Sequence, residues 1–145
     1  MFPTRNIISS KKIYLENKEY KQSIGFKPDG LWYACGDSWY NWIKDEKMQS
    51  VYPFKYLYKL LLYRGVINDK LLVIDTLKKF DSFNKKYGTK NKINWKKVMN
   101  DYSGIEICPH FKSRKNLWYL TWDIASGCIW DISIIKNLII IPKVL

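Results

Sequence analysis

The sequence predicts one α+β domain, a mixed, split β-sheet of about five to seven strands with about three helices. Strand-like and helix-like segments interleave without strict alternation. No linker, repeat or low-complexity stretch divides the 145 residues. A composition 47% hydrophobic and 17% aromatic, with only seven glycines and five prolines, supplies a sizeable core and argues against disorder. Residues 1–145 therefore read as a single globular domain, with 1–20 as a loosely attached N-terminal segment.

After a polar start, 7–21 has weak strand character around Lys12, Ile13 and Tyr14. Residues 23–26 read as extended, and Lys27-Pro28-Asp29-Gly30 as a turn by its Pro-Asp-Gly chemistry. A strand follows at 31–34, then a helix to about residue 47 that Asp37 or Ser38 caps. Its Trp39, Trp42 and Ile43 share one face and read as core. The aromatics Phe54, Tyr56 and Tyr58, with Leu60 to Leu62 behind them, predict a strand over 54–63. Residues 65–69 form a turn and 71–74 a buried strand. Asp75 or Thr76 caps a helix to about residue 87, with Leu77, Phe80, Phe83 and Tyr87 inward. Asn94 caps a short helix over 95–102. Strands are expected at 104–108, 117–122 and 138–141, with a helical turn at 131–136.

The formal net charge of +12 favours an acidic partner such as nucleic acid, an anionic cofactor or a phospholipid surface. Lysine with isoleucine, asparagine and tyrosine is also what an AT-rich coding sequence produces, so charge alone is a weak signal. No apolar run approaches the roughly 20 residues of a membrane span. Residues 1–10 lack an apolar signal core, which predicts no cleaved signal peptide and an intracellular protein. Cys35, Cys108 and Cys128 are odd in number and far apart, and read as reduced small hydrophobes. With His110 as the one histidine and no Cys-x-x-Cys pair, no metal site is expected.

Six of the seven tryptophans fall in two stretches, 30–42 and 118–130, each mixing indoles with glycine, serine and a carboxylate. Such a mixture suggests two walls of one site, because an indole N–H needs a partner and small residues allow close approach. With Trp39 and Trp42 assigned to the core, Trp32 and Tyr33 are the better pocket candidates. Phosphate loops of the G-x-x-x-x-G-K-S/T and G-x-G-x-x-G types are absent. A serine hydrolase or cysteine protease is excluded in practice, because His110 beside Pro109 on a loop is the only histidine base. Among carboxylates, Glu106 alternates with Ile105 and Ile107, so it faces away from them, into a cleft or into solvent. Asp123 ends a strand as a second candidate or as a turn residue, and Asp37 reads as a cap. Lys27 could meet a phosphate as a point charge, and Ser38 and Ser126 are further candidate contacts.

Phe26-Lys27-Pro28-x-Gly30-Leu31-Trp32-Tyr33, Asp101-Tyr102-x-Gly104-Ile105-Glu106-Ile107 and Trp122-Asp123-x-x-Ser126-Gly127-Cys128-Ile129-Trp130 carry a resemblance. They resemble a set of uncharacterised proteins of large DNA viruses and some microbes, over about residues 24–131. The order of elements is more distantly similar to ADP-ribosyltransferase-like folds, whose split sheet grips NAD. That resemblance implies NAD as cofactor, with Lys27, Trp32, Tyr33, Ser38 and Ser126 near the dinucleotide. It also implies Glu106, with Asp123 second, as the carboxylate stabilising oxocarbenium charge. The sequence departs from that pattern: the early arginine or histidine is missing, and Glu106 lacks a Glu-x-Glu partner.

Three function classes follow. The first is an ADP-ribosyltransferase-like protein, active or degenerate. A second is a non-enzymatic module that binds nucleic acid through Lys78, Lys79, Lys85, Lys86, Lys96 and Lys97. The third is a virion-associated or protein-interaction protein without catalysis, in the infected-cell cytoplasm or the virion.

Overall fold

The computed structural model describes residues 4–47 and 55–141. Its first strand is β1 (Arg5–Ser9), whose Arg5, Ile7 and Ile8 are buried. The sequence reading made 1–20 a loose segment. Instead β1 is an inner strand, paired with both neighbours over Arg5↔Cys35 and Ile7↔Tyr58. Residues 12–23 have no regular secondary structure, and the expected strand at Ile13 does not form. The Ile13 N–H is spent on the Tyr58 hydroxyl at 2.8 Å.

β2 (Ile24–Gly25) and β3 (Leu31–Cys35) match the expected extended segments around the Pro-Asp-Gly turn. Buried Gln22 braces that turn, donating to Asp29 O at 2.6 Å and accepting from Asp29 N at 2.9 Å. α1 (Ser38–Asp45) has Asp37 at its N-cap without a side-chain cap bond, and the other expected cap, Ser38, donates its Oγ hydroxyl across to Ala125 O at 2.7 Å. β4 (Tyr56–Leu62) follows; Phe54, expected in this strand, lies outside the described residues.

β5 (Leu71–Ile74) leads into α2 (Leu77–Tyr87), capped by Thr76, whose hydroxyl accepts from Lys79 N at 3.1 Å. A hairpin that the sequence reading left out, β6 (Gly88–Thr89) and β7 (Lys92–Asn94), joins α2 to α3 (Trp95–Asp101). β8 (Gly104–Ile107) lies parallel to β5, the one parallel pair of the described sheet. Residues 117–122, expected as a strand, form a 3₁₀ turn at Tyr119–Thr121, and Asn116 O accepts from the N–H groups of Tyr119 and Leu120. β9 (Ser126–Ile129) covers residues to which the sequence assigned no element, and β10 (Ile135–Ile141) follows a second 3₁₀ turn, Ile132–Ile134.

The strands make a seven-stranded mixed sheet, β10-β4-β1-β3-β9-β8-β5, and a three-stranded sheet, β2-β7-β6. With three helices this is the expected α+β class. Each face of the large sheet buries its own cluster. One gathers Phe80, Phe83, Trp95, Ile105, Trp118 and Trp122 beneath α2 and α3. The other gathers Ile7, Tyr33, Tyr58, Leu71, Val73 and Ile134. Strand alternation thus puts Ile105 and Ile107 on the helix side and Glu106 on the opposite side. Among the described residues no helix is long and apolar enough to cross a membrane.

Candidate functional site

The two tryptophan-rich segments meet. Trp32 and Tyr33 of β3, Trp39 and Trp42 of α1, and Trp122 enclose a cleft of about 360 Å³. Lys27, Asp123 and Ser126 complete its lining. Trp39 and Trp42, read from the sequence as core, are only half-buried and form one wall, while Ile43 is the buried residue of α1. Of the expected site residues, Lys27, Trp32, Tyr33, Asp123 and Ser126 therefore come together. Ser38 and Glu106 are not in the lining.

The walls are built, not incidental. Trp32 and Trp122 meet edge to face at 4.9 Å between ring centres. The Trp122 indole donates to Phe26 O at 3.4 Å, and His110 Nε2 donates to Trp122 O at 2.6 Å. Trp95, Trp118 and Trp130 are buried and spend their N–H groups on Gly25 O, Asn84 Oδ1 and Tyr102 O. Trp32, Trp39 and Trp42 are half-buried and present ring surface to the cleft. Gly30 lets the turn approach β9: a Cβ there would sit 2.6 Å from Ile129 O. The same turn carries exposed Lys27, whose Nζ lies 5.6 Å from the centre of the Trp32 ring. Asp123 is exposed in the same lining, so the cleft carries one positive and one negative group beside its aromatic walls.

Glu106 belongs to a different constellation, on the other face of the sheet. It is 1% exposed. Arg5 donates through Nε to Oε1 at 2.7 Å and through Nη2 to Oε2 at 3.4 Å, and the Tyr33 hydroxyl donates to Oε1 at 2.8 Å. Tyr33 reaches across because Gly127, between Tyr33 and Glu106 in register, has no side chain; a Cβ would collide with the Tyr33 ring. Burial pushes the Tyr33 phenol well above its ordinary pKa, and the Glu106 charge adds to the effect. Burial alone would lower Arg5, but Glu106 and Tyr33 outweigh it and hold the guanidinium charged.

Both Glu106 oxygens are thus engaged by buried protein donors. Arg5, the guanidinium of this group, is not singled out by any motif of the sequence. Its signal was rarity, since only Arg5, Arg64 and Arg114 stand among 25 basic residues. Arg5 and Arg114 each grip a carboxylate with two nitrogens, a geometry lysine cannot supply.

Cys35 and Cys108, expected to be reduced, form a disulfide beside this group, and Cys128 is buried and free. β3 and β8 flank β9, which begins only at Ser126, so their ends converge around Ala125. Cys35, Cys108 and Glu106 offer ligand atoms within 4.8 Å of one another. With the sulfurs bonded together and the carboxylate held by Arg5, that set is closed to a cation.

At about 360 Å³ the cleft lies near the lower bound of the roughly 300 to 1,000 Å³ spanned by small-molecule pockets. No family model, no curated protein and no solved structure matches the chain.

Proposed function

We propose that the tryptophan cleft binds a nucleotide. The observation that carries this reading is the convergence of indoles from two distant segments on one cleft whose rim holds both Lys27 and Asp123. Half-buried indole faces offer stacking surface to a planar base. Lys27, already drawn over Trp32, provides a point charge for a phosphate at the mouth. The Asp123 carboxylate can accept hydrogen bonds from ribose hydroxyls or an exocyclic amine.

NAD, implied by the sequence resemblance, remains the first dinucleotide to test, with its base and proximal ribose inside and the remainder over the Lys27 rim. Any ADP-ribosyl transfer would have to rely on Asp123. Glu106 is committed to Arg5 and Tyr33, and its role in this reading is to hold β1, β3 and β8 together behind the cleft.

Calorimetric titration of the protein with AMP, GMP, CMP, UMP and NAD tests this directly. At least one nucleotide should bind. Trp32→Ala should weaken it about 5- to 150-fold, as expected for loss of one stacking partner worth ~1–3 kcal/mol. Asp123→Asn should weaken ribonucleotides without unfolding the protein. Absence of heat with every nucleotide, or equal affinity in Trp32→Ala, would contradict the reading.

A further inference from the structure

The net charge is concentrated on one part of the chain. Residues 77–97, which form α2, the β6–β7 hairpin and the start of α3, hold eight lysines against Asp81 alone. That is seven of the twelve net positive charges. All eight lysines are exposed. Lys86 and Lys97 converge on one aromatic, with their Nζ atoms 5.3 and 5.7 Å from the centre of the Tyr87 ring. The nearby carboxylates are engaged: Asp81 by Arg114 at 2.7 and 2.8 Å, Asp75 by Lys79 at 2.8 Å, and Asp101 by the Tyr87 hydroxyl at 2.6 Å. A face with exposed lysines in excess, whose few acids are already ion-paired or hydrogen-bonded, is an electrostatic footprint for a polyanion.

This face leads to the cleft. The small sheet joins β7 of the hairpin to β2, with Ile24 opposite Asn94 and Gly25 opposite Ile93. The antiparallel register brings Lys92 toward Phe26, the residue before Lys27. Cross-strand neighbours of this kind lie about 5 Å apart. Phe26 O in turn holds the Trp122 indole, and Lys27 Nζ sits against Trp32. A run of cations thus passes from α2 over the hairpin to the mouth of the aromatic cleft.

We propose that the natural ligand is a single-stranded nucleic acid, with one base in the tryptophan cleft and its sugar–phosphate backbone along α2 and the hairpin. This rests on the reading of the cleft as a base-binding site. A duplex fits less well, because its bases are stacked and paired and would have to be extruded to reach the indoles. Aromatic stacking with a lysine track is the combination by which proteins hold single strands.

Fluorescence anisotropy with labelled ten-nucleotide single strands, matched duplexes and competing mononucleotides, at 50–200 mM salt, tests the proposal. The single strand should bind at least 100-fold more tightly than the best mononucleotide at 50 mM salt. Its log affinity should fall with log salt by about 0.7 per phosphate contacted. Lys90→Glu/Lys92→Glu should lower oligomer affinity tenfold or more and leave mononucleotide affinity unchanged. Lys78→Gln/Lys85→Gln, on α2, should lower it in the same direction without touching the hairpin. Trp32→Ala should weaken both ligands. Mononucleotide binding with no gain for the single strand would overturn this inference and leave the cleft reading intact. Failure of both ligands would overturn both. Equal affinity for duplex, or binding to phosphatidylserine vesicles with none to oligonucleotides, would also overturn the inference.

Discussion

At Glu106 a carboxylate, a guanidinium and a phenol share a site from which water is excluded. Removing one member of a buried ion pair strands the other and costs about 3–5 kcal/mol, whereas replacing both by apolar groups is often neutral. In a Tyr33→Phe background, which leaves no buried phenol without its acceptor, Arg5→Met should therefore lower the free energy of unfolding in urea by about that amount, and Arg5→Met/Glu106→Leu should recover most of it. Equal losses in the single and double variants would contradict the coupling. Tyr33 makes a pH prediction. A phenol whose pKa is raised in the folded state favours folding below its unfolded value near 10, and that contribution is lost as pH rises above it. Stability should thus fall above about pH 10 in the wild type and fall less in Tyr33→Phe, measured by urea titrations from pH 8 to 11. Strand alternation in the sequence placed Glu106 away from its isoleucine neighbours, and the structure agrees. Its occupation by Arg5 was not legible, because the partner lies 101 residues away with no local pattern linking them.

At the scale of elements, the helices were readable because caps and inward stripes repeat locally. Thr76 and Asn94 both accept the backbone bonds expected of them. Short segments misled. In 117–122 the buried residues are Trp118, Tyr119 and Trp122, a helical spacing that the intervening Leu120 and Thr121 disguise as a strand. β9 reads Ser-Gly-Cys-Ile, which resembles a turn until the Tyr33 ring over Gly127 supplies the reason for the glycine. The β6–β7 hairpin turns on Lys90 and Asn91 at φ of 43° and 66°, a conformation that favours glycine. Asn91→Gly should stabilise the protein slightly in urea unfolding, because asparagine already tolerates the left-handed region better than most side chains. A loss of stability would show that the Asn91 side chain holds the turn.

Across the whole molecule, one covalent link closes a loop of about half the chain. Cys35 and Cys108 are 73 residues apart in sequence, and closing a loop of that size restricts the unfolded chain by about 4 kcal/mol at most. Reduction with a dithiol should lower the melting temperature by roughly 10 °C for a domain of this size, and Cys35→Ser/Cys108→Ser should match the reduced protein. An unchanged melting temperature would mean that the crosslink contributes nothing to stability. The sequence reading took these cysteines as reduced because pairing depends on where β3 and β8 end, which is a property of the assembled sheet. Likewise, the two tryptophan segments were visible as a pair, but their division into buried and cleft-facing indoles was not. Trp95, Trp118 and Trp130 satisfy their N–H groups inside the protein, while Trp32, Trp39 and Trp42 face the cleft.

That division gives the most direct test of the base-binding cleft. Indole N–H resonances of the ¹⁵N-labelled protein, assigned by substitution, can be followed during titration with a mononucleotide. Saturable shifts of the Trp32, Trp39 and Trp42 signals are expected, with those of Trp95, Trp118 and Trp130 nearly still. Shifts confined to the second group, or none at saturating nucleotide, would contradict the base-binding cleft.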